Sequence, residues 1–400
     1  MNVVDVKLIQ DLAKEVEGKI IEYRRDLHAH PELSWKEERT SKVIESALAG
    51  LGFENIRRGF DNTGTGVTAD ITGKEGGPVI AIRADIDALP IDEAVEEPWR
   101  SSCDGVMHAC GHDAHAAMLL GVAHVLAAVK DTIPGTVRLI FQPGEESGIH
   151  SGAKQLVSEG VLDGVDAICG LHVWATLEAG KVGFRKGAIL ASADIWEIEV
   201  TGKGGHGSRP HEAVDPSIAA ATLITTAQTI VSREVDPREA VVFSVGKIDC
   251  GTAPNIIPEK ARLSGNLRTT SPVIRDEIPG RLKRIGEGIG AALRCDVKVD
   301  FIPVYPVTVN DGELVDLFVE VAGDLLGKDA LEEMSIEMGS EDFSFYQQKI
   351  PGILFFLGMG DPMKGTDAQH HSPGFKVNED VLADGVALLS GLALGFLERK

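Results

Sequence analysis

Features that would mark a nucleic-acid-binding or nucleotide-binding protein are missing from this 400-residue sequence. Basic residues are outnumbered, because 39 Lys and Arg stand against 61 Asp and Glu and leave a formal net charge of −22. A surface of that sign repels nucleic-acid phosphates, so we expect no nucleic acid as a partner. The glycines of GKGGHG have the wrong spacing for a dinucleotide loop, and the P-loop pattern does not occur.

Cysteines and long apolar runs are also scarce. The five cysteines are an odd number and lack the close, even spacing of a disulfide framework, which favours a reducing compartment: Cys103, Cys110, Cys169, Cys250 and Cys295. Acids and lysines interrupt the first twenty residues, which therefore predict an amphipathic helix and not a signal peptide. No stretch approaches the roughly 18 apolar residues of a membrane span. We expect a soluble, cytoplasmic protein with no membrane partner.

The chain is long enough for two domains, or for one domain with another inserted in it. Four hundred residues exceed what one hydrophobic core usually organises, and a hydrophobic share of 43% can fill a sizeable core. Apolar residues at helical spacing from Val6 to Ile20 predict a first helix, which Pro31 ends. A second helix is predicted from about 36 to 51.

Farther along, short strands alternate with helices. Runs rich in β-branched residues at 79–84, 137–141 and 167–171 are bounded by Gly or Pro, and helical stretches such as 114–129 lie between them. Alternation of this kind predicts an α/β sheet with helices covering both faces.

The order of elements changes between residues 192 and 304. It becomes strand, helix, strand, strand, helix, strand, which is the β-α-β-β-α-β order of a ferredoxin-like unit. Beyond it, a buried strand at 351–360 and a final helix at 379–399 return to the α/β pattern. We therefore predict an α/β fold in which a mixed-sheet catalytic domain is interrupted by a ferredoxin-like domain, with residues 1–188 and 305–400 in the first and 189–304 in the second.

Side chains able to bind metal follow each of the three predicted strands. Asp85 and Asp87 come after the first, Glu145 and Glu146 after the second, and His172 after the third. In open α/β sheets ligands bind outside the carboxyl ends of the strands, so these side chains should converge. Adjacent carboxylates suggest that one binds metal while the other takes a proton from water, although spacing alone does not say which does which.

Two loops add further ligands at the same edge. MHACGHDAH contributes Cys110 and His112, and HHSPGF contributes a histidine. Thiolate, imidazole and carboxylate are good ligands for zinc-like ions, and about five protein ligands exceed the four that one tetrahedral ion accepts. The excess favours two ions roughly 3.5 to 4 Å apart. Asp113 and His115, beside this loop, are expected to cap or orient the start of the following helix.

Nine segments of the chain resemble those of one enzyme family: RADIDALPI, MHACGHDAH, QPGEE, GLHVW, GGHGSRPH, APNIIPEKA, GNLRT, GSEDF and HHSPGF. They are similar to the motifs of the aminoacylase-like amidohydrolases, which include hippurate hydrolases, N-acetyl amino acid deacetylases, auxin-conjugate hydrolases and related carboxypeptidases. The match runs in the right order from RRDLHAHPELSWKE almost to the C-terminus.

The resemblance implies a role for each site residue. Two divalent ions per subunit, of Zn, Mn, Co or Ni, would be held by five ligands, with Glu145 as the general base: Cys110, His112, Glu146, His172 and His371. The wider metallopeptidase family has a His at the position of Asp85 and a bridging Asp at that of Cys110. Because this sequence departs from that pattern, we favour Asp85 and Asp87 as residues that orient the ligands.

By the same resemblance, the inserted domain is a lid that also forms the interface of a homodimer or homotetramer. His206 would polarise the scissile carbonyl, in its own subunit or across the interface. Asn255 and Arg268 would bind the free carboxylate of the substrate, the arginine through a bidentate pair.

Three functions stay open on the sequence. The first is hydrolysis of the amide bond of N-acyl amino acids, of acetyl or benzoyl type, by water activated at the metals. The second is carboxypeptidase or dipeptidase activity on short peptides with the same atoms. The third is metal-dependent binding of acylated amino acids without catalysis, although a binder has no use for a base such as Glu145.

Overall fold

The structure is a computed structural model that describes residues 6–60 and 63–400. Of the predicted first helix, residues 1–5 lie outside the described part. The chain divides into two compact units. The first runs to Gly187 and continues over Val309–Ser335 and Asp342–Lys400, and the second comprises Ala188–Thr308 and Ile336–Glu341. Residues 336–341 thus group with the second unit, whereas the sequence analysis assigned them to the first.

The described residues form helices and strands throughout both units. The α-helices are α1 (Val6–Glu15), α2 (Glu17–Ala29), α3 (Glu38–Gly50), α4 (His112–Ala128), α5 (Gly152–Ser158), α6 (Pro216–Thr229), α7 (Pro272–Leu293), α8 (Gly312–Leu326), α9 (Ser344–Gln347) and α10 (Leu382–Arg399). The strands are β1 (Glu54–Phe60), β2 (Thr65–Thr72), β3 (Val79–Asp85), β4 (Thr136–Gln142), β5 (Ala167–Glu178), β6 (Val182–Phe184), β7 (Gly187–Leu190), β8 (Ala193–Thr201), β9 (Gly205–His206), β10 (Val241–Cys250), β11 (Ile256–Ile257), β12 (Lys260–Thr269), β13 (Asp296–Tyr305), β14 (Thr308–Asn310), β15 (Leu331–Glu333) and β16 (Gly352–Gly360).

The first unit is built on an eight-stranded mixed sheet in the order β1-β2-β4-β3-β5-β16-β6-β15. Its centre is parallel, since β3 pairs in parallel with both β4 and β5, and β5 pairs in parallel with β16. The central strands are buried on both faces, which explains their nearly continuous apolar sequences. The predicted α/β fold class is confirmed.

Parallel pairing brings the ends of three central strands to one edge of this sheet. Asp85, the last residue of β3, is in register with Gln142, the last residue of β4. On the other side of β3, Arg83 is in register with Gly170 of β5. His172, two residues beyond Gly170, therefore lies at the level of Asp85. The strand β5 continues to Glu178, so His172 lies inside it and not after its end as expected.

Two apolar helices fill the core of the first unit. Every residue of α4 from His112 to Ala123 is buried, and α4 packs against α10. The segment Glu379–Arg399, which contains α10, is long and apolar enough by composition to cross a membrane, with a mean hydropathy of 1.7. Its bounds are those predicted for the final helix, but by composition it is more apolar than the sequence led us to expect. However, 89% of its apolar window is buried inside the protein, as in a core helix.

The second unit has the β-α-β-β-α-β order given by β8, α6, β10, β12, α7 and β13. Its four-stranded sheet is antiparallel in the order β10-β12-β8-β13. One face of the sheet packs on α6 and α7, with Trp196 stacked on Phe243 in the core. The observed order is that of a ferredoxin-like unit.

Candidate metal centre

His112 begins α4 and points one ring nitrogen at the loop after β3. Its Nδ1 lies 2.9 Å from the carbonyl oxygen of Asp87 and 3.2 Å from Asp87 Oδ1. A carbonyl oxygen only accepts, so Nδ1 carries the proton and donates it. The other nitrogen, Nε2, is buried and has no hydrogen-bond partner among the described residues. Asp85 Oδ2 lies 3.6 Å from this nitrogen. A buried imidazole nitrogen without a hydrogen bond, on an oriented ring, is suited to binding a metal.

His172 and Cys110 face each other beside His112. The Cys110 Sγ lies 3.5 Å from His172 Nε2. The other nitrogen of His172, Nδ1, donates to the Val173 carbonyl oxygen over 2.7 Å, so Nε2 has its lone pair on the Cys110 side. Both residues are nearly inaccessible to solvent, at 8% and 7% exposure.

Glu146 and His371 complete the predicted ligand set. The Nε2 of His371 lies 3.0 Å from Glu146 Oε1. The backbone of His371 has a φ of +60°, which histidine adopts more readily than most residues, and its N–H donates to the Ala109 carbonyl over 2.8 Å. This bond connects the HHSPGF loop to the residue just before Cys110.

The structure thus brings the five predicted ligands and Glu145 together in three overlapping groups. In each group the ligand atoms lie within 4.8 Å of one another: Cys110, His112 and His172; Cys110, Glu146 and His371; His112, Glu145 and Glu146. Cys110, His112 and Glu146 each belong to two groups. A thiolate and a carboxylate can bridge two cations, so the donor set, with a His112 Nε2 that makes no hydrogen bond to any described residue, fits a pair of divalent ions.

The surrounding charges favour a cation at this place. Burial lowers the pKa of His112, but Asp85 and Asp87 outweigh that effect and raise it to about 10. The field that favours a proton on Nε2 also favours a metal cation there. By contrast, burial and the neighbouring His115 and His370 hold the pKa of His172 well below its usual range, which keeps its lone pair available.

Asp87 makes hydrogen bonds to two of the candidate ligand residues, His112 and Glu146, and belongs to none of the three groups of ligand atoms. Its Oδ2 accepts hydrogen bonds from Ser34 Oγ (2.7 Å) and from the Glu146 N–H (2.9 Å), while its carbonyl fixes His112. Burial opposes its ionisation, but the bonds from His112 and Ser34 lower the pKa of Asp87. This arrangement is the one expected of a residue that orients ligands.

Asp85 is part of a buried network behind the ligands. It accepts from Arg83 Nη1 (2.6 Å) and from His115 Nδ1 (2.6 Å). The other nitrogen of His115 accepts the Val173 N–H over 2.9 Å. Because both nitrogens of His115 are engaged, His115 holds the strand next to His172 and is not available as a ligand, although it is close enough to Asp85 and His112 to suggest one. It does not cap α4.

Two charged residues of this network had no role in the sequence analysis. Arg83 also bonds Asp342 (Nη2 to Oδ1, 2.8 Å), and Asp342 accepts from Gln142, Ser151 and the Ala153 N–H. All of these side chains are buried. The sequence contains one sign of this network, the arginine inside the apolar strand VIAIRA. A charge buried in such a strand requires a partner of opposite charge. Asp113, expected near the helix start, instead pairs with Arg24 and His28.

The three predicted substrate-contacting residues lie in the second unit. His206 in β9 pairs with Ile256 of β11, and the Gly207 N–H bonds the Asn255 carbonyl over 2.9 Å, so His206 and Asn255 are neighbours. The His206 Nδ1 accepts from the Ser208 N–H (3.1 Å). In the neutral ring Nε2 therefore carries the proton and is exposed as a donor.

Arg268 is half-buried on β12. Its Nη1 donates to Ser340 Oγ over 2.9 Å within the second unit. Burial lowers the pKa of Arg268, an effect that Asp194 partly offsets, and arginine stays charged under any such shift.

Comparison with known proteins identifies extended similarity. A model described as peptidase family M20/M25/M40 matches residues 81–395. Thermostable carboxypeptidase 2 of Saccharolobus solfataricus is 40% identical over 98% of this chain and 98% of its own length. N-acetylcysteine deacetylase of Bacillus subtilis is 41% identical over 96% of this chain and 98% of its own length. The crystal structure of a Bacillus subtilis dinuclear metal-binding peptidase of the M20 family superposes with a TM-score of 0.85 at 37% identity, covering 97% of this chain and 99% of that one.

Proposed function

The chain belongs to peptidase family M20/M25/M40 and is a metal-dependent hydrolase of linear amide bonds, and from that premise we propose that it removes the acyl group of N-acyl amino acids. The substrates we propose carry acetyl-type or benzoyl-type groups. The observation that carries the proposal is the set of overlapping donor groups at the sheet edge, with two adjacent glutamates among them.

We assign the ligands to Cys110, His112, Glu146, His172 and His371. When bound, two divalent cations supply the Lewis acidity that makes an amide carbonyl open to attack by water. Cys, His and carboxylate ligands accept Zn, Mn, Co or Ni, so metal identity is left to measurement. The oriented rings of His112 and His172 support this assignment, since the Nδ1–H of each ring donates a hydrogen bond to a backbone carbonyl oxygen.

Glu145 is proposed as the general base. It follows β4, is 6% exposed, and lies in one group with His112 and Glu146. A carboxylate in that place can take a proton from the attacking water and deliver it to the leaving amine. Glu146, whose carboxylate faces His371, is then the ligand of the pair.

We propose that the first unit is the catalytic domain and that the second is a lid and dimerisation domain. The exposed Nε2–H of His206 would donate to the scissile carbonyl oxygen, from its own subunit or from the partner. Asn255 and Arg268 would bind the free carboxylate of the substrate. A charged arginine supplies the local positive potential that an anionic substrate needs on a chain with a net charge of −22.

Carboxypeptidase or dipeptidase activity is the second candidate. It is favoured by the 40% identity to a carboxypeptidase, which nearly equals the 41% identity to a deacetylase. Both reactions use the same atoms and differ only in the group that occupies the acyl side. Because the relatives named here are hydrolases, the third hypothesis, a binder without catalysis, has no support.

The test is a substrate panel on protein reconstituted with Zn, Mn, Co or Ni. N-acetyl and N-benzoyl amino acids should be hydrolysed with higher kcat/KM than dipeptides. Turnover of dipeptides alone would transfer the assignment to the second candidate. In the same assay Glu145→Gln should keep its metal content while kcat falls by about 10²- to 10⁴-fold. Full activity in that variant would remove Glu145 from the mechanism.

A further inference from the structure

The loop that carries Glu145 and Glu146 lies outside the central sheet. It lies between the end of β4 at Gln142 and the start of α5 at Gly152, so its backbone is not part of the sheet. Base catalysis requires a fixed geometry, because a displacement of about 1 Å costs roughly 10²-fold in rate. Something outside the loop must therefore hold it.

A short segment near the N-terminus, Ser34–Glu37, contacts this loop at several points. Glu37 Oε1 accepts the Gly144 N–H over 2.9 Å, and Gly144 directly precedes Glu145. The indole nitrogen of Trp35 donates to the His150 carbonyl over 2.8 Å. Ser34 donates to Asp87 Oδ2, which also accepts the Glu146 N–H.

The indole of Trp35 also covers Gly144 closely. A Cβ at Gly144 would lie 2.6 Å from Trp35 Nε1, and the φ of Gly144 is +63°, so this position admits glycine alone. The contact fixes the peptide that leads into Glu145.

The conformation of the segment itself is unusual. Trp35 has a φ of +63°, which is rare for a bulky side chain and persists only where the surroundings impose it. In this conformation the Trp35 N–H donates to Glu37 Oε1 over 2.9 Å. One carboxylate oxygen therefore fixes both the segment and the loop.

The Glu37 side chain does not cap the helix that follows it, α3. It stands at the N-cap position just before α3, and its side chain makes no capping bond. The backbone N–H groups of Arg39 and Thr40 are instead accepted by Glu32. Glu37 is fully buried, and its Oε2 has no hydrogen-bond partner among the described residues. Burying a carboxyl group costs free energy, which the two hydrogen bonds accepted by Oε1 help to offset.

We propose that Ser34–Glu37 is a clamp for the loop of Glu145 and Glu146, and that Glu37 is its positioning residue, acting as a hydrogen-bond acceptor for the Gly144 N–H. The inference rests on the proposed function insofar as Glu145 is the base. Burial and the neighbouring Asp87 raise the pKa of Glu37 to about 8, so the side chain is neutral at pH 7 and glutamine should replace it.

The test compares two substitutions of one residue. Glu37→Gln keeps an acceptor oxygen, whereas Glu37→Met keeps the volume and removes the acceptor. On metal-loaded protein at pH 7, we expect kcat within about threefold of wild type for Glu37→Gln and a loss of about 10- to 100-fold for Glu37→Met. KM and metal content should change by less than about twofold in both. The matched control is Glu38→Met, at the neighbouring exposed glutamate, which should leave kcat unchanged.

A second measurement does not depend on turnover. Hydrogen–deuterium exchange of the peptide covering residues 143–152 should be faster in Glu37→Met than in wild type, and unchanged in Glu37→Gln and Glu38→Met. If wild type hydrolyses no substrate while this difference is present, the proposed function fails and the clamp stands. Equal exchange in all four proteins, wild-type kcat in Glu37→Met, or an equal loss in both Glu37 variants would overturn the clamp.

If Glu37→Met does not fold, Trp35→Phe replaces it. This change removes the indole nitrogen, and with it the bond to the His150 carbonyl and the atom nearest to Gly144, but keeps an aromatic ring at position 35. We expect a three- to tenfold loss of kcat with faster exchange at 143–152, and wild-type values of both would contradict the proposal.

Discussion

Replacement of Asp342 should show most clearly what the buried network behind the ligands contributes to stability and to metal affinity. It is inaccessible to solvent, and the groups that donate hydrogen bonds to it include Arg83 Nη2 (2.8 Å), Gln142 Nε2 (2.9 Å), Ser151 Oγ (2.7 Å) and the Ala153 N–H (3.0 Å). In Asp342→Asn one of the two oxygens becomes an NH₂ group. The new NH₂ group then faces the donor groups that the lost oxygen accepted from, and Arg83 loses its ion pair with Asp342.

The expected cost follows from these contacts. Removing one partner of a buried ion pair destabilises a protein by about 3–5 kcal/mol, because the remaining charge is left uncompensated. Asp85 still pairs with Arg83, which favours the lower half of that range. We therefore expect the free energy of unfolding to fall by about 3 kcal/mol.

The effect should extend to the metals. Arg83 holds Asp85, Asp85 holds His115, and His115 holds the Val173 N–H beside His172. Changes in residues that orient ligands typically reduce metal affinity by about 10- to 100-fold. We expect a loss in that range in Asp342→Asn, measured by competition with a chelating indicator.

Urea unfolding followed by circular dichroism measures the stability change. The exposed Asp104 supplies the matched control, because Asp104→Asn makes the same chemical change outside the network and should leave the transition where it is. A loss below about 1 kcal/mol in Asp342→Asn, or an equal loss in the control, would refute the reasoning.

Three other changes test different parts of the site. A divalent ion at 100 times its Kd should raise the free energy of unfolding by about 2.7 kcal/mol, and thermal melts should show that gain reduced in Cys110→Ala but intact at the exposed Cys103→Ala. Since the pKa of Glu37 is raised to about 8, the folded state binds more protons than the unfolded state between about pH 4.5 and 8. As the pH rises through that window, the free energy of unfolding of wild type should fall by about 1.4 kcal/mol per pH unit relative to Glu37→Gln. Urea titrations that show a constant difference between the two proteins would contradict this. Arg268→Lys should raise KM for substrates with a free carboxylate more than for their amides, and equal effects on both would exclude the proposed contact.

The sequence predicted those elements that have strong periodicity and clear boundaries. The strand predicted at 79–84 is observed as Val79–Asp85, and the helix predicted at 114–129 is α4, His112–Ala128. Buried strands and helices are selected for apolar side chains at fixed spacing, and that spacing is visible without a structure.

Edge strands were not predictable in the same way. The strand β1 is mostly exposed, so its sequence ENIRRGF has no alternation to detect.

The end of the central strand β5 was predicted too early. It was expected at Leu171, before the polar His172, yet β5 continues to Glu178. A polar histidine inside a strand breaks the apolar pattern, so the pattern places the end of the strand too early.

The identities of the candidate ligands could be proposed from motifs, but their orientation could not. Which nitrogen of His112 or His172 faces the site depends on carbonyl oxygens of Asp87 and Val173, and these are set by the local backbone. The partner of Arg83 lies 259 positions away in sequence, so only the folded chain identifies Asp342.

The central claim is that Cys110, His112, Glu146, His172 and His371 hold two divalent ions beside Glu145. Anomalous diffraction from crystals of metal-loaded protein, collected at the absorption edge of the bound metal, tests it most directly. We expect two peaks about 3.5 to 4 Å apart within bonding distance of those five side chains. A single peak, or peaks bound to other residues, would contradict it.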